Sequence, residues 1–308
     1  MAEPAGSQDS SLGASSVTRS ASVDEIAPRV EVDSRPSIGP RTSGLSRYAG
    51  LIFSLAQRQL KLRYKQSALG WLWTLILPLS SLVTYMIVFG IFLAVSPPVA
   101  GNGHLRSFTL FLFSGLIAWN LFSSILTGSM AWMLELGPLL KKVAFPPEAP
   151  VFGGAGSSLV QTATESVLLL VILAIFGNVS FTFLLLPVLI LLLAMFATGI
   201  GLIAALTNVY FRDVEHLVEV ALMVLFYATP IVYPIEIVPR SIWGGLPVRT
   251  LVQWNPTTVF VQAIRGVLYG LQVPSLGQGL ALVALASVSF GSGLWIFKRY
   301  GASLGEEL

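Results

Sequence analysis

Only 11% of this 308-residue chain is charged and 54% is hydrophobic; a soluble domain carries about 25% charged residues, so no soluble fold hides this much apolar surface and lipid must solvate much of it. The net charge of +3 is small, and the basic residues flank apolar runs instead of forming a basic face interleaved with aromatics, which points to a membrane surface and not to nucleic acid. The absence of cysteine excludes disulfides, thiolate nucleophiles and Cys-based zinc or iron–sulfur sites.

Residues 1 to about 46 are rich in Ser, Pro, Ala and Gly, with no sustained period. They cannot bury enough surface to order themselves and are expected to form a disordered cytoplasmic tail, either dispensable or regulatory. No signal peptide is expected, because this N-terminus is polar. From Arg47 to Gln66 the pattern suits an interfacial amphipathic helix. Tyr48, Leu51, Ile52, Leu55 and Leu62 share one side, and Arg47, Ser54, Arg58, Lys61 and Lys65 share another. Arg63 falls at the edge of the apolar side. The basic segment then gives way to an uncharged one at Trp71 and Trp73, where the chain is expected to enter the bilayer.

Six apolar segments follow, each long enough to cross a hydrocarbon core that needs about 20 helical residues. They cover about Gly70–Val95, Phe108–Met133, Phe152–Phe176, Phe181–Thr207, Val214–Tyr233 and Gly277–Phe297. Their lack of alternation rules out barrel strands, so an all-α integral membrane protein is expected. All the lysines (Lys61, Lys65, Lys141, Lys142 and Lys298) fall on one predicted side, which places both termini in the cytoplasm. Between the fifth and sixth segments, Pro230, Pro234, Pro239 and Pro247 interrupt any helix. Asn255–Pro256 then reads as an N-cap followed by proline at the first helical position. Val259, Phe260, Ala263, Ile264 and Val267 form its apolar stripe, and Gly270 ends it. Too short to span, this helix is either a re-entrant element at the outer side or an amphipathic helix on the outer surface.

Four features could carry chemistry. The loop 136–150 sets Leu139, Leu140, Val143 and Phe145 around Lys141 and Lys142 and then stops at Pro146–Pro147. It suits a short amphipathic helix docking into a partner's groove, or else a lipid-surface loop. Glu165 interrupts the third segment, where a carboxylate costs roughly 2.5–3.5 kcal/mol and must face protein or water. With Gly154, Ser157, Ser158, Gln161 and Thr162 it shares one helical side, either a packing surface of small residues or the wall of a conduit. Arg212, Glu215, His216 and Glu219 recur at helical spacing, as a proton relay or a structural latch. Tyr85, Phe89, Phe108, Phe111, Phe113, Trp119 and Phe122 crowd the first two segments, as stacking platforms for sugars or as lipid-facing bulk. No Walker A sequence and no H-E-x-x-H occurs, and the two histidines stand apart, so neither a nucleotide nor a metal site is expected on this chain.

Four blocks, RQLKLRYKQSALGWLW (58–73), LIAWNLFSSIL through GPLLKKVAFPPE (116–148), NVYFRDVEHL (208–217) and ATPIVYP with WNPTTVFVQAIRGVLYG (228–270), occur here in one order and on consistent sides of the membrane. In these the chain resembles the type-2 ABC transporter permeases of bacterial polysaccharide exporters, over about residues 45–305. Members of that family export O-antigen, capsule, teichoic acid or mycobacterial galactan. The resemblance implies a permease domain over 47–308, a homodimer, and two separate ATPase subunits that bind the ATP and Mg. Leu139, Leu140, Lys141, Lys142, Val143, Phe145 and Pro146 would form the cytoplasmic coupling helix seated in the ATPase. Arg58, Lys61, Arg63 and Lys65 would meet lipid headgroups or a lipid pyrophosphate. Tyr85, Phe89, Trp119, Gln161, Glu165 and Tyr227 are channel candidates. Trp254, Asn255, Pro256, Phe260 and Arg265 would belong to outer gate helices. The cargo implied is a polyprenyl-pyrophosphate-linked glycan leaving through the inner membrane. The long tail resembles that of actinobacterial members and favours galactan. Export of a small drug or lipid, ion-coupled transport through Glu165, and a scaffold without transport activity are the alternatives.

Overall fold

The computed structural model describes residues 44–64, 69–93, 98–140, 146–241 and 246–301. The expected tail (1–43), Lys65 and the heart of the docking loop (141–145) lie outside them. Among the described residues the fold is helical throughout, with no sheet. Helix α1 (Gly44–Tyr64) is followed by α2 (Trp73–Tyr85), which continues through a π-helical stretch, Met86–Phe92. Then come α3 (Phe108–Leu140), α4 (Ala149–Ile175), α5 (Leu186–Tyr210), α6 (Val214–Ala228), α7 (Val248–Trp254), α8 (Pro256–Leu268) and α9 (Leu276–Tyr300).

Among the described residues five stretches are long and apolar enough to cross a membrane: Trp73–Phe92, Phe108–Glu135, Ala149–Ile175, Phe181–Tyr210 and Leu276–Tyr300. They match five of the six segments read from the sequence. The remaining one, the fifth segment (Val214–Tyr233), forms α6, which has 15 residues, about 22 Å at 1.5 Å per residue, less than a typical hydrocarbon core. Its early end has a local cause. Proline at 230 disfavours helical backbone at the residue before it, and Thr229 is extended, with φ −100° and ψ 132°.

Helix α3 is the hub. It packs on α2, α4, α5, α6 and α8, and Ile117, Leu121, Ile125, Met130 and Met133 along it are almost wholly buried. Its neighbours approach closely where side chains are absent. A Cβ on Gly154 of α4 would fall 2.0 Å from the Trp132 ring of α3, and one on Gly293 of α9 would fall 2.1 Å from the Gly199 carbonyl of α5. The α5–α9 contact is tied further by the Ser289 hydroxyl donating to the Phe196 carbonyl at 2.7 Å. Small residues are how helices gain packing in lipid, where burial of apolar surface supplies little drive.

Helix α1 does not lie free. Leu55 and Ala56 are buried against the start of α4, where Gly153 admits Leu55. Leu62, expected on the same apolar side, is instead exposed, because the docked face centres on Leu51, Leu55 and Ala56.

Candidate functional site

The side of α4 that carries Glu165 faces α2 and α3 across a groove of about 770 Å³. Trp73 and Leu77 of α2 form one wall. Asn120, Ser123, Ser124 and Thr127 of α3 form the second, and Ser158, Gln161, Thr162 and Glu165 of α4 the third. A second cavity of about 160 Å³ shares Leu77, Asn120, Gln161 and Glu165 and adds Pro78, Ser81, Tyr85, Phe113 and Leu116. The spacing explains the wall: on α3 the residues 120, 123, 124 and 127, and on α4 the residues 158, 161, 162 and 165, recur at three and four, which stacks them on one helical face. Glu165 is only 4% exposed, and its Oε1 accepts from Gln161 Nε2 at 3.0 Å. This side of α4 thus does two things, packing at some positions and lining a groove at others. The glycines and Ser157 pack against neighbouring helices, while Gln161 and Glu165 line the groove.

The other channel candidates separate. Tyr85 lines the smaller cavity, and Phe89 lies beside it, tilted, with its ring 5.0 Å from Phe108. Trp119 is buried, 5.4 Å from Phe226 of α6 and 5.9 Å from Phe122, and so belongs to the α3–α6 core instead of the groove wall. Tyr227 is 70% exposed on the outward side of α6.

At the end where α1, the end of α3 and the start of α4 meet, Arg58 Nη2 lies 3.1 Å from Glu135 Oε1, and Gln59 Nε2 donates to Glu135 Oε2 at 3.3 Å. Glu135 stands one turn before the end of α3, so the basic helix is clasped to the helix that leads into the docking loop. Tyr48 lies near Glu148 at the start of α4. Burial, and then the Glu148 carboxylate, push its phenol up to about 12. Lys61 is exposed beside Ser54, Gln57 and Leu62. Arg63 is on α1, and Leu139 and Leu140 close α3, but their side chains, like Lys141, Lys142, Val143 and Phe145, lie outside the described residues. Pro146 is half-buried just before α4.

At the opposite end α8 is wedged among α3, α5, α7 and α9. Asn255 caps it, its Oδ1 accepting from Thr257 N at 3.1 Å, and Pro256 opens it. Phe260 is fully buried, stacked 5.2 Å from Phe196, whereas Trp254 at the end of α7 is 80% exposed. Arg265 points inward. Its Nη1 donates to the Pro230 carbonyl at 2.7 Å and its Nη2 to the Ile231 carbonyl at 2.6 Å, with the guanidinium 4.0 Å from the centre of the Phe111 ring. Sequence reasoning missed two further residues here. Asn178 Nδ2 donates to the Leu268 and Tyr269 carbonyls, and Thr182 Oγ1 to Val267 O, so the turn between α4 and α5 satisfies the open carbonyls at the end of α8. Asparagine in a tight outer turn was visible in the sequence; its partner 90 residues away was not.

Residues 50–269 match the family model described as ABC-2 type transporter. The chain belongs to the ABC-2 type transporter family. Within it, the chain is 28% identical over 265 residues to an O-antigen export system permease protein, RfbA, of Myxococcus xanthus, covering 86% of this chain and 97% of the relative. It is 27% identical over 218 residues to an RfbA protein of Klebsiella pneumoniae, covering 70% and 78%. Over 214 residues it is 26% identical to a polysialic acid transport protein, KpsM, of Escherichia coli, covering 69% and 78%. Family membership and five apolar helices make the chain an integral membrane protein. In this ABC-2 chain the 208–219 cluster is peripheral. His216 Nδ1 sits 3.6 Å from Glu219 with both side chains largely exposed. The buried Asn208 accepts instead from Glu215 N at 3.1 Å and fixes the start of α6.

Proposed function

We propose that this chain is the permease subunit of an ATP-driven exporter that moves a lipid-linked polysaccharide, with galactan as the leading candidate, across the inner membrane. The observation that carries this reading is the mid-span polar groove in a chain whose named relatives are polysaccharide permeases. Asn120, Gln161 and Glu165 cannot face hydrocarbon, so the groove faces water, and its far wall is a second protein surface. A second copy of the chain supplies that surface in the proposed homodimer.

Two separate ATPase subunits bind ATP and Mg and press on residues 137–148. That segment joins α3 to α4, the two helices that supply most of the groove, so a displacement there moves both walls. Arg58 and Gln59, clasped on Glu135, carry α1 along. Arg58 thereby acts as a positioning residue, and Lys61, Arg63 and Lys65 receive headgroups or the lipid pyrophosphate. Both termini are cytoplasmic, α6 crosses the membrane as the fifth of six spans, and α8 is a re-entrant helix at the outer side of the path. The test is depletion of the chain in its native host. Lipid-linked glycan should accumulate inside the cell, and the chain should co-purify with an ATPase subunit. Normal surface glycan on depletion, or glycan synthesis lost without accumulation, overturns the reading.

A further inference from the structure

We infer that α8 is a fixed part of the outer wall and that the moving gate is the end of α6 with residues 229–238, latched to α8 by Thr229, Asn255, Thr257 and Arg265. This deepens, and rests on, the export reading above. The two ends of α8 are held differently. At its C-terminal end the carbonyls of 267, 268 and 269 are all bound by the surrounding frame. Thr182 Oγ1 donates to Val267 at 3.0 Å, Asn178 Nδ2 to Leu268 at 3.1 Å and Gly101 N to Tyr269 at 2.9 Å. The Tyr269 hydroxyl donates to the Pro98 carbonyl at 2.7 Å and accepts from Ser107 N at 3.2 Å, and Asn102 N donates to Asn178 Oδ1 at 3.2 Å. Loop 98–107 leads into α3 and turn 176–182 joins α4 to α5, so these bonds pin α8 to several helices at once. The fit has no slack, since a Cβ on Gly101 would fall 2.4 Å from the Gly270 carbonyl oxygen. Nine of the 13 residues of α8 are buried.

Toward α6 the ties are of another kind. The hydroxyl oxygens of Thr229 and Thr257 lie 2.9 Å apart, Asn255 Nδ2 donates to Thr229 Oγ1 at 3.3 Å, and Arg265 grips the carbonyls of 230 and 231. Ile231, fully buried, is the apolar part of the contact. Hydroxyl and amide groups trade a protein partner for water at small net cost. Arg265 also lines an outer cavity of about 250 Å³, which leaves room for water beside the guanidinium when the carbonyls depart. Behind this contact α6 is lightly held by its own protomer. Only Leu222 of its 15 residues is buried, and Leu217, Val220, Met223, Val224 and Tyr227 are between 61% and 70% exposed. An element with few buried contacts moves at lower cost than one packed on all sides, and the extended backbone at Thr229 already interrupts the helix, as a hinge requires. A shift at the start of α6, where Asn208 holds Glu215 N, is carried along the helix to the latch, and the end of α6 swings from an α8 that stays in place.

The cysteine-free chain permits a direct lock. Thr229→Cys together with Thr257→Cys sets two sulfurs where the hydroxyls touch, within reach of a disulfide. In the native host depleted of the wild-type chain, cells carrying this pair should lose surface glycan and accumulate lipid-linked glycan in proportion to the cross-linked fraction, read by alkylation of the free thiols. Dithiothreitol should restore export, and each single variant should export with or without oxidant. Export by fully cross-linked chains, or a pair that stays unlinked under oxidant while the single variants export, overturns the latch. The fixed place of α8 is read in the complex with its ATPase subunit in nanodiscs, by spin labels at three exposed positions: Phe181→Cys on the frame, Val273→Cys just after α8 and Ile237→Cys on the gate. With ATP and vanadate trapped, the 181–237 distance should lengthen or broaden, and the 181–273 distance should match the nucleotide-free complex. No change in the first, or an equal change in the second, overturns the inference, and these distances decide it where the cysteines of the locking pair themselves stop export. Surface glycan that stays normal on depletion removes the export reading and leaves the latch to the distances, whereas accumulation with an unmoved 237 position keeps export and removes the latch.

Discussion

Arg265 shows how one side chain can hold a broken helix together. Thr229 and Pro230 end α6 inside the protein, leaving carbonyls at 230 and 231 with no helical donor, and the planar guanidinium reaches both. Gly115 gives it room, since a Cβ there would fall 2.2 Å from Nη2. Lysine carries its three donors on a single nitrogen in place of a planar fork of two spaced ones, so Arg265→Lys should reach only one of the two buried carbonyls and leave the other unsatisfied at a cost of about 1–3 kcal/mol. A thermal-unfolding midpoint equal to wild type in the same detergent would refute this role. A residue at the α1–α4 seam should respond to pH. The Tyr48 phenol is raised from its ordinary 10 to about 12, so the folded state favours the neutral form. Its contribution is complete below pH 10 and is lost as pH rises from 10 to about 12, where the unfolded chain ionises first. Tyr48→Phe lacks this loss, and wild type should become the less stable of the two across that window in parallel melts.

Among the elements, α1 was legible as a basic amphipathic helix because its charges and apolar residues segregate at 100° per residue. Its seat was not legible. The pattern fits headgroups and a protein surface equally, and only the small residues Gly153 and Gly156 of α4 reveal which face docks. The Arg58–Glu135 pair at the surface is worth at most about 1 kcal/mol of stability, so its value is positional. Arg58→Glu should leave assembly intact and uncouple cargo-stimulated ATP hydrolysis. Restoration by adding Glu135→Arg would identify the pair itself as the cause, and failure of the swap to restore coupling would assign Arg58 to cargo instead. Helix α8 was read correctly in its cap and stripe; it ends at Leu268, close to the expected Gly270, but the left-handed residue that follows is Leu271. Its burial depends on Asn178 and Thr182, which come from a distant turn.

For the whole molecule, the number of crossings turns on α6. With Asp213 and Arg240 both exposed on either side of it, Asp213→Cys and Arg240→Cys in the cysteine-free chain should label from opposite sides with a membrane-impermeant maleimide. Labelling from the same side makes α6 a hairpin limb and leaves five crossings. The aromatic residues show the same division between pattern and place. Trp119, Phe122, Phe196 and Phe260 form a packed aromatic core through α3, α5 and α8, while Tyr85 reaches a cavity. Both kinds of residue look alike along the chain.

The amino-acid sequence by itself determined that this is a helical membrane protein, where most of its helices start and stop, and which four blocks place it beside polysaccharide permeases. These follow from local physics: apolar run length, helical period, and proline and cap chemistry act within a few residues. Only the tertiary structure decided that Gln161 and Glu165 share a groove with Asn120 and the α3 hydroxyls, that Trp119 does not, and that Arg265 is an internal brace. Those outcomes depend on which helix faces which across tens of residues: the spacing of polar residues marks a face on α3 and on α4, but nothing local in the sequence says which neighbour that face meets.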